Sequence, residues 1–302
     1  MTNHNPVFPE PGRFAPFPYS EDFKNHILQM LKGWEGRADH EQWFQMAMTR
    51  VDFQRRNLLP TINRYLTLQG KEVLEIGCGT GPSSVVMAEQ GARVTALDID
   101  PQMVEATRLR ARDHGLADAV RAVHVADSTN IYLSDEAFDL VVCNGVLEHV
   151  RPEIRAFLMR EMWRVLRKGG HLFIGETPSR LCPIDRHTTE LWWVHYLPAA
   201  LARRYAVLRK RIRPQDDFQA RGGLGCVRPL LTHALPRGEF KVLTYQKQYS
   251  WLGRHWAERH GLSKTVVLTC LMILESAILR PCLHMTIDDF LPFLSVCIEK
   301  IA

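Results

Sequence analysis

Residues 73–85, VLEIGCGTGPSSV, set Glu75, Gly77, Gly79 and Gly81 on alternate positions between an apolar run and a helix-like one. Glycine lets a backbone approach a ligand closely, and the first turn of the following helix offers unpaired N–H groups to an anion. The chemistry implied is the cradling of a charged small molecule at a strand-to-helix turn. A dinucleotide loop would need G-x-G-x-x-G, and here Pro82 stands where its last glycine belongs. Further polar residues close later runs of the same kind. Asp98 ends VTALDID, 21 residues past Gly77, and Asp127 with Ser128 ends VHVADST. A carboxylate at that distance can accept both hydroxyls of a ribose. Taken singly, Asp98 or Asp127 reads as a helix cap or turn former.

The elements that must hold these residues alternate along the chain. EVLEIG, ARVTALDID, AVRAVHVAD, FDLVVCNG and HLFIGE read as strands. PSSVVMAEQG, PQMVEATRLRARDHG and RPEIRAFLMREMWRVLRKGG read as the helices between them, with proline at their starts and glycine at their ends. That succession predicts an α/β fold, a parallel sheet with helices on both faces. Ahead of it lie a Pro-rich arm (1–19) and a helical cap (20–70) carrying apolar residues at helical spacing around Trp43, Met46, Val51 and Phe53. The core unit spans 71–178. Residues 179–239 break the alternation and read as an insertion after the fifth strand, and 240–302 complete the sheet with a strand, a long helix at roughly 255–283 and a last strand.

This pattern resembles the class I S-adenosylmethionine-dependent methyltransferases, above all their small-molecule, ubiquinone-pathway-like branch. The resemblance covers residues 72–178 well and the remainder poorly. It implies a Rossmann-like sheet, S-adenosylmethionine as cofactor and S-adenosylhomocysteine as product. It also implies roles for single residues. The loop of Gly77, Gly79 and Gly81 holds the methionine end, and Glu75 braces it and holds the amino group. Asp98 takes the ribose, Ile99 faces adenine, and Asp127 with Ser128 meets adenine and its exocyclic amine. Asn144 and Gly145 edge the sulfonium pocket, and His149 lines it.

Methyl transfer is an in-line displacement in which the cofactor supplies the leaving group, so the protein aligns the nucleophile and excludes water. A base is needed only where the nucleophile keeps a proton near neutral pH. Candidates past the fourth and fifth strands are Glu148, His149, Asp185, His187 and His195. His187 is the expected base, inside PIDRHTT, where Asp185 or a threonine could fix its tautomer; the alternative is a histidine that ties the insertion to the sheet. Glu148 is expected to face solvent or a loop. Arg186, Trp192, Trp193 and Tyr196 form the expected acceptor side, although packing of the insertion explains the aromatics equally well. The insertion, the arm and the helix at 20–56 are expected to roof the methyl-donor pocket.

The whole chain bounds the rest. Its 302 residues are 46% hydrophobic with a mild net charge of +5, which forces neither a nucleic-acid nor an anionic-membrane partner, and nucleic acid is not expected. Seven scattered cysteines with no C-x-x-C pair predict reduced thiols, a cytoplasmic setting and no structural zinc. No H-x-x-x-H pattern calls for another metal. The basic stretch around 203–213 reads as a solvated face, with an anionic acceptor group or peripheral membrane contact as the sharper alternatives. The function expected is methyl transfer to a small molecule, on oxygen. The competing functions are RNA or protein methylation, and non-catalytic binding of the cofactor by a regulatory protein.

Overall fold

Helix starts in this protein follow from local chemistry. The computed structural model describes residues 17–32, 40–126, 131–179, 181–185, 188–212, 231, 233–236, 238–245, 266, 269–270, 273–283 and 293–301. Helix α1 (Glu21–Met30) is capped by Ser20, whose hydroxyl accepts the Phe23 N–H at 3.3 Å. Helix α2 (His40–Ile62) follows, then strand β1 (Glu72–Ile76) and helix α3 (Pro82–Glu89), entered through Gly81 with Pro82 in the first turn. After β2 (Arg93–Asp98), Asp100 caps α4 (Pro101–Asp113) by accepting the Gln102 N–H at 2.8 Å. Strands β3 (Val120–His124) and β4 (Phe138–Asn144), helix α5 (Pro152–Val165) and strand β5 (Leu166–Pro178) complete the alternation. Helix α6 (Ala199–Leu208) precedes β6 (Phe240–Tyr245) and β7 (Phe293–Lys300).

The strands form a seven-stranded sheet in the order β3-β2-β1-β4-β5-β7-β6. The first five are parallel, and β7 runs antiparallel to both β5 and β6. Neighbouring residues of β1 serve opposite faces, as a pleated strand requires. Leu74 and Ile76 join Val141, Leu172, Leu158 and Met162 in one apolar cluster. Val73 joins Val85, Met87, Val94 and Leu140 on the other face, together with Val51, Leu58 and Ile62 of α2. Phe23 and Ile27 seat α1 against Met48 of α2 and Ala106 of α4. The order of strands reverses between β1 and β4, and ligands of open α/β sheets bind beyond the carboxyl ends at such a point.

The fifth helix ends earlier than its sequence suggests. Residues 166–170 were expected to continue it, but Leu166 is extended and pairs with Phe138 of β4. Lys300, from the far end of the chain, explains the stop. Its buried ammonium donates to the carbonyls of Trp163 at 3.1 Å and Leu166 at 2.7 Å, satisfying groups that a helix end leaves open. Of the long helix expected at 255–283, the described part holds a π-helical turn, Glu275–Leu279, running into Arg280–Leu283. Among the described residues no helix is long and apolar enough to cross a membrane.

Candidate active site

The glycine loop is held from three sides. Gly77, Gly79 and Gly81 all have positive φ, at 67°, 54° and 81°. A Cβ on Gly81 would come within 2.8 Å of the Thr107 side chain, so α4 can pack against the loop only over a glycine. Gly79 differs: a Cβ there would meet nothing within 4 Å, because its open side faces a cavity. Thr107 donates its hydroxyl to the Gly79 carbonyl at 2.9 Å, and Arg110 donates its Nε to the Thr80 carbonyl at 2.6 Å. Asp98 accepts the Gly79 N–H on Oδ2 at 2.8 Å and the Asp100 N–H on Oδ1 at 3.0 Å.

That arrangement adjusts what the loop supplies. The N–H groups of Cys78, Gly79 and Gly81 are bonded to Leu97 O, Asp98 and Cys78 O. These three donors serve the loop itself, so its contribution to a ligand is chiefly shape. Each Asp98 oxygen accepts one of these backbone N–H groups and keeps a second lone pair for a hydroxyl donor.

The cavity, about 480 Å³, lies between this loop and the N-terminal helices. Its floor is made by Glu75 and Gly77, the end of β4 at Asn144 and Gly145, Glu148 with His149, and Glu176 at the end of β5. Its roof is Ile27, Met30 and Leu31 of α1 with Trp43, Met46 and Arg50 of α2. No described residue of 179–239 lines it, so the described part of the roof is the N-terminal helices.

Three carboxyl groups and one guanidinium, that of Arg50, line this space among the described residues. Burial pushes the Glu75 carboxyl up to about 8, outweighing its hydrogen bonds from Ser84 and Ser83. Burial also raises Glu148 to about 8, against the pull of its own N–H, with the Glu176 charge adding to the rise. Glu148 is 4% exposed, which corrects the expectation of a solvent- or loop-facing side chain. His149 is lowered by burial. The side-chain oxygens Asn144 Oδ1 and Gln54 Oε1 are buried without a hydrogen-bond partner among the described residues.

Glu176 was missed by the sequence reading, although it sits at a conspicuous place. Strand β5 carries one extra residue against β7 between Ile174 and Thr177, and within that bulge Glu176 has φ 49°. Bulges re-aim side chains, and a non-glycine residue in the left-handed region is strained. Here the bulge directs the carboxylate to Arg50, whose Nη2 is 2.6 Å from Oε2, and to Gln54 Nε2 at 3.2 Å.

The remaining expected site residues scatter. Ile99 is 63% exposed beside the end of β2, outside the cavity lining, as is Asp98. Asp127, Ser128, Arg186 and His187 lie outside the described residues. Asp185 is buried and accepts the N–H groups of Thr188 and Thr189 at 3.0 and 2.9 Å, so it fixes the two threonines. Its Oδ1 is 3.7 Å from Nε2 of the buried His195. Trp192, Trp193 and Tyr196 do not wall the cavity; each is more than half exposed on the outer surface.

Sheet order, glycine turn and cavity together define a class I S-adenosylmethionine-dependent methyltransferase domain. Residues 74–174 match a family model described as a methyltransferase domain, and the chain carries a domain of that family. A ubiquinone biosynthesis O-methyltransferase from Xanthomonas oryzae pv. oryzae is 38% identical over 143 residues, 47% of this chain and 54% of that protein. Its namesake from Xylella fastidiosa is 34% identical over 143 residues, covering 47% and 52%. The chain thus spans about half the length of the curated relatives it matches. A crystal structure of an S-adenosylmethionine dependent methyltransferase from Mesorhizobium loti has the same fold, with a TM-score of 0.50 at 16% identity, over 83% of this chain and 100% of that one.

Proposed function

We propose that this protein transfers the methyl group of S-adenosylmethionine to an oxygen of a small-molecule acceptor. The observation that carries this reading is the cavity over the ends of β1 and β4, with its excess of carboxyl groups. The cofactor carries a sulfonium and an ammonium, and the acceptors present suit both. Glu75 and the orphaned Asn144 Oδ1 would hold the cationic end, and Asp98 the ribose hydroxyls. The match to relatives named as O-methyltransferases supports oxygen as the acceptor atom.

When bound, the cofactor supplies an activated methyl carbon and its own leaving group. The protein's share is alignment, exclusion of water and management of one proton. Helices α1 and α2 close the space above the loop with Met30, Trp43 and Met46. Two groups are proposed for the acceptor's proton. His187 follows from its place in the DRHTT cluster, and Glu148 from its position in the cavity wall. A carboxyl held near 8 is matched to a phenol-like donor better than an ordinary one, since proton transfer is favoured when the two affinities approach each other. Arg186 is proposed to meet the acceptor beside His187, and Asp127 with Ser128 the adenine. The six free cysteines among the described residues support a reducing, cytoplasmic setting.

The test is a screen of phenols, catechols, alcohols and amines with methyl-labelled S-adenosylmethionine, read by mass spectrometry. Label on an oxygen is the expected result. Label entering RNA or protein instead would select macromolecular methylation. A protein that binds S-adenosylhomocysteine and transfers label to nothing would select a non-catalytic binder.

A further inference from the structure

Strand order divides the cavity between two molecules. Glu75, Asp98 and Asn144 belong to β1, β2 and β4, and these strands lie side by side in the order β2-β1-β4, with β5 next. A cofactor held by those three groups runs from β4 across β1 to β2, so β5 is the flank it leaves open. The methyl acceptor therefore approaches over the end of β5. Asn144 is in register with Gly175, and Glu176 follows directly on that flank and lines the cavity. A Cβ on Gly145 would lie 4.0 Å from the Glu176 Cβ and 3.8 Å from Glu148 Oε1. The bare Gly145 thus leaves a gap between the two carboxyl side chains, beside the end of β4.

Glu176 is held there against local preference. Its φ of 49° is one that side chains other than glycine rarely adopt, and the bulge against β7 imposes it. Two donors from α2 then fix the carboxylate: Arg50 Nη2 on Oε2 at 2.6 Å and Gln54 Nε2 on Oε1 at 3.2 Å. A carboxylate oxygen has room for two donors, so each keeps a lone pair beyond its bond to α2. The side chain is 21% exposed along the cavity, which leaves those lone pairs within reach of a ligand. Strain of this kind, maintained by surrounding contacts, is characteristic of ligand-binding positions.

We infer that Glu176 determines acceptor specificity by accepting a hydrogen bond from a hydroxyl or amine that the acceptor carries beside the oxygen to be methylated. This assignment rests on the methyl-transfer reading proposed above. Arg50 and Gln54 are positioning residues, because they act on the acceptor only through the carboxylate they hold. An acceptor with an alkyl group at that place covers the carboxylate and gives it no donor. An acceptor with a carboxylate there sets like charges side by side. Sites built to bond a polar group reject analogues that lack it far more strongly than apolar pockets reject an extra methylene, since a buried polar group is left unmet.

The experiment saturates the full chain with S-adenosylhomocysteine and titrates three matched phenols by calorimetry. 2-Hydroxybenzyl alcohol, 2-ethylphenol and salicylate put a donor, an alkyl group and a carboxylate at the same place. The alcohol should bind about 10- to 100-fold more tightly than either of the others, the worth of a hydrogen bond to a charged group. Glu176→Gln should remove most of that preference, above all against salicylate. Gln54→Leu, which loosens the carboxylate without removing it, should lose part of it. Cooperative urea unfolding certifies the fold of each variant. A purely structural Glu176 would weaken all three phenols in parallel, and that result overturns the assignment. No binding of any phenol by the loaded parent, no preference in the parent, or a preference kept by both variants overturns it too. These outcomes leave the methyl-transfer reading standing, whereas a parent that fails to bind S-adenosylhomocysteine overturns both.

Discussion

Arg50 Nη2 stands 2.6 Å from Glu176 Oε2, an ion pair that fastens roof helix α2 to the bulged end of β5. Both side chains are largely buried, at 16% and 21% exposure, and Gln54 adds a second donor to the same carboxylate. Removing Arg50 leaves Glu176 with Gln54 as its donor and takes the opposite charge from the carboxylate. A double-mutant cycle of Arg50→Ala and Glu176→Ala should return a coupling of about 1.5–3 kcal/mol, the range for a hydrogen bond to a charged group. Additive effects in urea unfolding would show that this ion pair contributes nothing to holding the roof.

Gly79→Ala separates folding from binding. Its φ of 54° makes the substitution cost about 1–2 kcal/mol, while the added methyl meets no protein atom. The methyl projects into the cavity instead. The variant should unfold cooperatively at a lower temperature and lose S-adenosylhomocysteine binding in calorimetry. Parental affinity would remove the loop from the binding site.

Asp98→Ala should weaken S-adenosylhomocysteine by two routes. Ribose hydroxyls lose a charged acceptor at about 1.5–3 kcal/mol per bond, and the Gly79 and Asp100 N–H groups lose the partner that fixes the loop. Asp98→Asn keeps one oxygen and should fall between the two. A well-folded alanine variant with parental affinity would overturn the ribose assignment.

Glu75 and Glu148 give cofactor binding a pH dependence of defined sign. Each is raised to about 8 by burial, so both are largely protonated at neutral pH in the free protein. A bound cation favours their ionised forms and drives protons off. Affinity for S-adenosylmethionine should therefore rise with pH up to about 8 and flatten above it. The free protein behaves in the opposite way. A raised carboxyl destabilises the fold progressively from the ordinary carboxylate range to about 8, so stability falls across that window. Calorimetry in buffers of different ionisation enthalpy counts the protons; no release at neutral pH would contradict both assignments.

Arg110, fully buried, ties three segments together. Beyond Thr80 it donates to the Ala47 carbonyl of α2 at 2.9 Å and to the Tyr19 hydroxyl ahead of α1. Arg110→Met removes all of these and should cost at least about 3 kcal/mol in urea unfolding, several charged hydrogen bonds being lost at once. Tyr19→Phe removes one and should cost less. Preferential proteolysis near α1 in the methionine variant would locate the damage at the roof, whereas uniform cleavage would place it in the sheet.

Features under local chemical control are legible in single stretches of the chain. Three glycines, Pro82 and the apolar run before them define a strand, a turn and a helix whatever surrounds them, and the Ser20 and Asp100 caps act within four residues. Order along the chain then places Glu75, Asp98 and Asn144 at the carboxyl ends of β1, β2 and β4, because parallel strands joined through helices all point the same way. Other features depend on partners distant in sequence. Helix α5 ends at Val165 because Lys300 reaches its carbonyls from more than a hundred residues away. Glu148 is buried, and so held near 8, because the cavity wall closes around it; desolvation has no signature in a single residue type. Glu176 enters the site through a bulge that exists only in register with β7, against an arginine 126 positions earlier. The Trp192–Tyr196 rings belong to the outer surface because Val194 and His195, their neighbours in sequence, took the interior.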